Sequence, residues 1–179
     1  PQGDGVCMVA IANKLAIAPA ESDALLPVDW TPTRLREVLV QDATYGIVKA
    51  GSFVRSGIPM LRGGDIKNGR ISRDMPHVSE AKSEEFKRTV LKHADVVIAL
   101  VGYPGEAAVV PPDLAGANIS RAVGLLRPSK ALSPDFLCCY LNSEAGRAEF
   151  LKPSAGSAQL VVNLRDLNNL VVPLPRDKE

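Results

Sequence analysis

The stretch from Tyr45 to Arg73, YGIVKAGSFVRSGIPMLRGGDIKNGRISR, limits the possible folds more than any other part of the chain. Two short apolar runs, residues 46–48 and 58–61, alternate with small and polar residues, a pattern that predicts strand, glycine turn, strand, turn, strand. Asn68-Gly69 is a strong hairpin signal, because a type I′ turn needs positive φ at both central residues. Arg62, Lys67, Arg70 and Arg73 gather around Asp65, with Asp74 following. A glycine-rich hairpin that presents arginines and an amide suits contact with phosphates and base edges. The same residues also describe a solvated hairpin whose charges keep it soluble, since charged side chains are normally exposed.

Downstream of the hairpin the pattern stays one of short elements. Residues 75–78 read as another short strand, and Ser79 or Ser83 can cap a helix running to about Lys92. The run Asp95-Val96-Val97-Ile98-Ala99-Leu100-Val101 predicts a central buried strand. Gly102-Tyr103-Pro104-Gly105 turns the chain into a returning strand at 107–110, and residues 122–126 supply a further strand. Ser133-Pro134 starts a helix, with proline at the first helical position, that should reach about Phe150. A small-residue loop at 153–157 leads to a strand at 158–162. Asn163 can cap a short helix, and a last strand at 170–174 carries Pro173 at an edge or end. Upstream, residues 1–29 are weakly patterned and read as an arm or linker, after which Trp30 leads through Pro32 into a short strand or helical turn at 35–39. Together these features predict an α+β fold: a single domain over residues 30–175 with a curved, mainly antiparallel or mixed sheet and a few flanking helices.

A chain of 179 residues suffices for one well-cored domain. Its formal net charge of +1 means that any nucleic-acid binding must come from a local patch. The apolar runs are too short to span a membrane, and Asn13-Lys14 interrupts the only mildly apolar N-terminal segment. The three cysteines suggest no disulfide framework, and a reducing cytoplasm fits them best.

The sequence contains neither the GxxxxGK[ST] phosphate loop nor the GxSxG nucleophile elbow. His93 reads as a surface residue near a helix end, and His77 has no cysteine or carboxylate at ligand spacing, which argues against zinc. Asp65 with Glu80-Ala81-Lys82 loosely matches the acid and E-x-K of metal-dependent nucleases, but the Glu and Lys open a helix where that chemistry wants a strand. Neither catalytic residues nor a cofactor or metal site is therefore expected. After Gly156, Ser157 and Gln159 could present a hydroxyl and an amide to bases from a loop, or form a plain polar loop tip.

Taken in order, these segments make the chain resemble a target-recognition domain of the DNA specificity subunits of Type I restriction–modification enzymes. The resemblance covers Trp30 to about Pro175 and is carried by an ordered series of segments. It runs through Leu35-Arg36-Glu37-Val38, Tyr45-Gly46-Ile47-Val48 and Ile58-Pro59-Met60-Leu61-Arg62-Gly63-Gly64-Asp65-Ile66, then Asn68-Gly69-Arg70-Ile71. It continues through the strand around 92–102, Asn118-Ile119-Ser120, Ser133-Pro134-Asp135-Phe136-Leu137, Gly156-Ser157-Ala158-Gln159 with Asn163-Leu164, and Val172-Pro173-Leu174-Pro175. His93-Ala94-Asp95 departs from the series, standing where the family often has glycine before the aspartate.

The resemblance implies a domain that reads one half of a split site in double-stranded DNA and has no catalysis of its own. Its expected partners are a modification methyltransferase subunit, a restriction subunit, and a second copy or second recognition domain. Family subunits usually carry two such domains separated by long helices. Residues 176–179 would then be the start of a truncated or absent spacer helix. Phosphate or guanine contacts are expected from Arg62, Lys67, Arg70, Arg73 and Arg121, and base-edge contacts from Asn68, Tyr103, Asn118, Ser120, Ser157 and Gln159. Two other readings fit the residues: a recognition domain serving a methyltransferase or nuclease whose catalysis lies on another chain, and a protein-interaction module derived from such a domain.

Overall fold

The computed structural model describes residues 30–153 and 160–175. The expected N-terminal arm at 1–29, the loop residues Ser157 and Gln159, and the stub at 176–179 lie outside the described residues. In chain order come β1 (Trp30–Arg34), a 3-10 turn (Leu35–Val38), β2 (Thr44–Tyr45), β3 (Ile58–Leu61) and a 3-10 turn (Gly63–Asp65). Next are β4 (Ile66–Lys67), β5 (Arg70–Ile71), β6 (His77–Val78), α1 (Glu80–Glu85) and a 3-10 turn (Lys87–Thr89). The middle holds β7 (Val96–Ala99), β8 (Ala107–Val109), a 3-10 turn (Pro112–Leu114), β9 (Asn118–Ile119) and β10 (Val123–Leu126). The chain then forms α2 (Pro134–Asn142), α3 (Glu144–Phe150), β11 (Leu151–Pro153), β12 (Leu160–Val162), α4 (Leu164–Asn169) and β13 (Val171–Pro175).

An antiparallel sheet in the order β2-β10-β7-β8 forms the middle layer. All four side chains of β7 are buried, because opposite faces of this strand meet different cores. Val96 and Ile98 pack with Leu137, Tyr140, Leu141, Phe150 and Leu167 on the helical side. Val97 and Ala99 pack with Leu61, Ile66, Ile71 and Ile119 on the hairpin side. At about 1.5–3 kcal/mol for each large apolar side chain fully buried, this doubly covered strand ties the two cores together. A mixed sheet, β6-β3-β9, lies on the hairpin side, with β3 parallel to β9 and antiparallel to β6. Ladders β1–β13, β4–β5 and β11–β12 complete the α+β fold. In the first of these Pro32 faces Pro173, a pairing that only a non-hydrogen-bonded position tolerates, since neither residue has an N–H.

The hairpin and the central strand form as their sequences require. Asn68 and Gly69 take φ of 52° and 71°, the two left-handed conformations of the turn between β4 and β5. Ser133 accepts a hydrogen bond from Phe136 N at 3.4 Å to open α2, and Asn163 accepts from Arg165 N at 2.8 Å to open α4.

Three elements differ from expectation. The strand expected at 46–48 is displaced to Thr44–Tyr45, and Ile47 makes only an isolated parallel bridge to Ser120. The helix expected to reach Lys92 ends at Glu85, because the chain must straighten for Leu91 to exchange backbone hydrogen bonds with Ala117 and Gly116. The helix expected over 134–150 divides at Ser143, whose hydroxyl caps α3 by accepting from Gly146 N at 3.0 Å. A Cβ on Gly146 would lie 2.1 Å from Tyr140 O, so glycine is needed at that break. Cys138 and Cys139 are free thiols, the first buried and the second at the helix edge. Burial pushes the Cys138 thiol up to about 11. Among the described residues no helix is long and apolar enough to cross a membrane.

One ion pair closes the end of the central sheet. Arg127, just after β10, donates from Nε and Nη2 to the two carboxylate oxygens of Asp95 at 2.7 Å each. Asp95 also accepts from Lys92 N at 2.8 Å, which fixes the turn where Ala94 takes φ of 67°. The carboxylate holds the Arg127 guanidinium above its ordinary pKa, against the opposing effect of burial. The left-handed region costs an L-residue about 1–2 kcal/mol, and glycine costs about 0.5–1 kcal/mol in backbone entropy. Ala94→Gly should therefore stabilise the domain by up to about 1 kcal/mol, read as a Tm higher by about 2–4 °C in thermal denaturation.

Candidate nucleic-acid interface

At one end of the central sheet four backbone segments are laced together by short hydrogen bonds. Ile47 N donates to Ile119 O at 2.8 Å, and Arg121 N donates to Ile47 O at 2.9 Å. Ser120 N donates to Leu61 O, and Leu100 N to Ala122 O, both at 2.8 Å. Two glycines permit the approach: a Cβ on Gly46 would sit 1.9 Å from Ile119 O, and one on Gly63 would sit 1.9 Å from Val101 O. The rim so formed exposes Tyr45, Val48, Lys49, Val101, Tyr103 and Arg121.

The tip of the β4–β5 hairpin joins this rim through two contacts. Lys67 Nζ lies 5.3 Å from the centre of the Tyr103 ring, a cation–π geometry. Asn68 N donates to Glu106 Oε2 at 2.7 Å, while Glu106 Oε1 accepts from Arg147 Nη2 of α3 at 2.6 Å. Glu106 thus acts as a strut from the helical layer to the hairpin tip. It crosses an open groove of about 430 Å³ lined by Gly69, Cys138, Cys139 and Asn142.

The expected site residues divide into three groups. Lys67, Arg70 and Arg121 are exposed and have no ion-pair partner among the described residues. Asn68 and Tyr103 are exposed beside them, and Ser120 is half-buried, its hydroxyl accepting from Ala122 N at 3.3 Å. Arg62 and Arg73 are already engaged. Arg62 donates to both oxygens of Asp65 at 3.0 and 2.8 Å, and this bond raises the guanidinium pKa. Arg73 makes a similar fork on Asp113 at 2.9 and 3.2 Å.

Asn118 corrects the expectation of a base contact, because it is fully buried. Its amide nitrogen donates to Ser83 Oγ at 3.0 Å and its oxygen accepts from Thr89 Oγ1 at 2.7 Å. It stitches the end of α1 to β9, a structural role. Asn118→Ala should cost about 1–3 kcal/mol for each buried partner left unsatisfied, measured by urea denaturation.

Sequence reading missed Tyr45, Val48, Lys49 and Val101. One signal could have found the first three: no Asp or Glu occurs between Asp42 and Asp65. The loose nuclease pattern is not assembled for metal binding. Asp65 is paired with Arg62, Lys82 Nζ with Glu85 Oε2 at 2.6 Å, and no group of three or more His, Cys, Asp or Glu among the described residues could hold a metal.

The Glu106 strut makes a separable prediction. In Glu106→Ala the Asn68 amide should exchange with solvent at the rate of an unprotected surface group, followed by NMR hydrogen exchange. Glu106→Gln keeps one acceptor oxygen and should restore part of the protection.

No family model matches the chain. Solved structures share its fold. A chain from a structure describing complex assembly and conformational transition of the type I R-M system superposes with a TM-score of 0.68 at 22% identity, covering 96% of this chain and 40% of that one. The HsdS subunit from Thermoanaerobacter tengcongensis gives 0.66 at 22% identity, over 96% and 39%. The fold is therefore that of one portion of a Type I specificity subunit. Sequence adds a relative. Over 161 residues the chain is 32% identical to the Type I restriction enzyme EcoBI specificity subunit of Escherichia coli, an alignment covering 87% of this chain. It spans 33% of that relative's length. This chain is thus homologous to part of a Type I restriction–modification specificity subunit and shares the fold of part of one.

Proposed function

We propose that the domain binds double-stranded DNA and reads one half of a bipartite site, as the specificity component of a restriction–modification system and without catalysis of its own. The observation that carries this reading is the rim with its hairpin tip: Lys67, Arg70 and Arg121 are exposed with no ion-pair partner among the described residues, Lys67 stands over the exposed Tyr103 ring, and Tyr45 is exposed on the same backbone platform. Free cations supply phosphate attraction and guanine recognition, while the aromatic rings add stacking surface. That the related Escherichia coli protein is a specificity subunit supports the same role here. Methylation and cleavage would then belong to a methyltransferase subunit and a restriction subunit, and residues 30–175 would form the recognition unit.

Selection of bound sequences from a random duplex pool at two salt concentrations tests the reading. A short enriched sequence whose binding falls steeply with salt is expected, since phosphate contacts release counterions. Salt-insensitive or absent binding would favour a protein-interaction module instead. Among Lys67→Ala, Arg70→Ala and Arg121→Ala, a phosphate contact should weaken all sequences alike and flatten the salt slope by about 1, whereas a guanine reader should lose about 1–3 kcal/mol at one base position. Uniform loss on every sequence from all three would remove base reading. Arg62→Ala and Arg73→Ala should act mainly on stability, because those guanidinium groups already hold Asp65 and Asp113.

A further inference from the structure

Next to the rim, residues 48–53 form a projecting arch with both feet pinned. At one foot Ile47 exchanges backbone hydrogen bonds with Ile119 and Arg121, and at the other Val54 N donates to His77 O at 3.0 Å. Gly51 turns the arch at φ of 72°, and Gly57 lets the chain leave it close to Val78, where a Cβ would meet Val78 O at 2.3 Å. Phe53 stands on the arch 55% exposed, with Val48 and Val54 also open to solvent. Lys49 and Arg55 flank it, exposed and without an ion-pair partner among the described residues.

An exposed phenylalanine between two free cations, in a segment devoid of acid, does not match a protein groove lined by mixed charge. It matches a polyanion with an apolar interior. We infer that the arch is a wedge for duplex DNA: Phe53 enters a groove and partly unstacks a base step, while Lys49 and Arg55 hold phosphates on either side. This rests on the DNA-binding reading above and extends it, because the arch is continuous with the rim through Ile47 and Val48. A step that unstacks easily would be favoured, so the wedge adds selectivity without a hydrogen bond to any base.

The test uses a duplex carrying the pool-selected sequence, with 2-aminopurine placed at successive positions. The parent domain should raise fluorescence at one step. Phe53→Ala should abolish that rise and weaken binding about tenfold with the salt slope unchanged. Phe53→Trp should keep the rise, and Lys49→Ala with Arg55→Ala should flatten the slope. Phe53 is exposed, so a Tm equal to the parent's will show that Phe53→Ala is folded. Phe53→Ala with the parent's fluorescence and affinity would overturn the wedge alone, as would parent binding with no fluorescence change at any step. Failure of the parent to bind any duplex would overturn both the wedge and the function on which it rests.

Discussion

The burial of β7 on both faces is the constraint on which the other elements depend. Here a one-residue slip would exchange the two cores and draw Asp95 into an apolar layer. The Asp95–Arg127 pair stands at the edge of that layer, where β7 and β10 begin and end, and fixes their relative position with two short hydrogen bonds. A buried pair of this kind contributes more to register than to net stability, because desolvation offsets much of its attraction.

With the sheet fixed at one end by charge, the other end is free to serve as a platform. The backbone bonds among Ile47, Ile119, Ser120, Leu61 and Ala122 consume the polar groups that would otherwise compete for a ligand. What remains outside is side chain, and its charge has been sorted. Arg62 and Arg73 are neutralised by carboxylates, whereas Lys67, Arg70 and Arg121 are not. A chain with a net charge of +1 can in this way present a local positive field without being basic overall.

Local rules made much of this legible in the sequence. Asn68-Gly69 admits few conformations, a four-residue apolar run bounded by turns makes β3, and Ser133-Pro134 and Asn163 start helices wherever a hydrophobic face follows. Non-local contacts were not legible. Asn118 is followed within three residues by the polar Ser120 and Arg121, and only the parallel pairing of β9 with β3 carries it under the end of α1. The break at Ser143 has a similar origin, since Asn142 turns its side chain to the β8 edge, donating to Ala107 O at 2.9 Å and accepting from Ala107 N at 3.0 Å. The ion pairs of Arg62 and Arg73 also escaped, although Asp65 is only three residues from Arg62; Asp113 lies 40 residues from Arg73. The candidate residues were named by type, and only their tertiary partners separated the exposed cations without an ion pair from the engaged ones.

The β1–β13 ladder places Trp30 directly opposite Pro175. The two ends of the described domain therefore run side by side, and the sheets, helices and hairpin rim are all carried on the chain between them. A different sequence of the same fold could be spliced in at this pair of strands while the flanking chain kept its path.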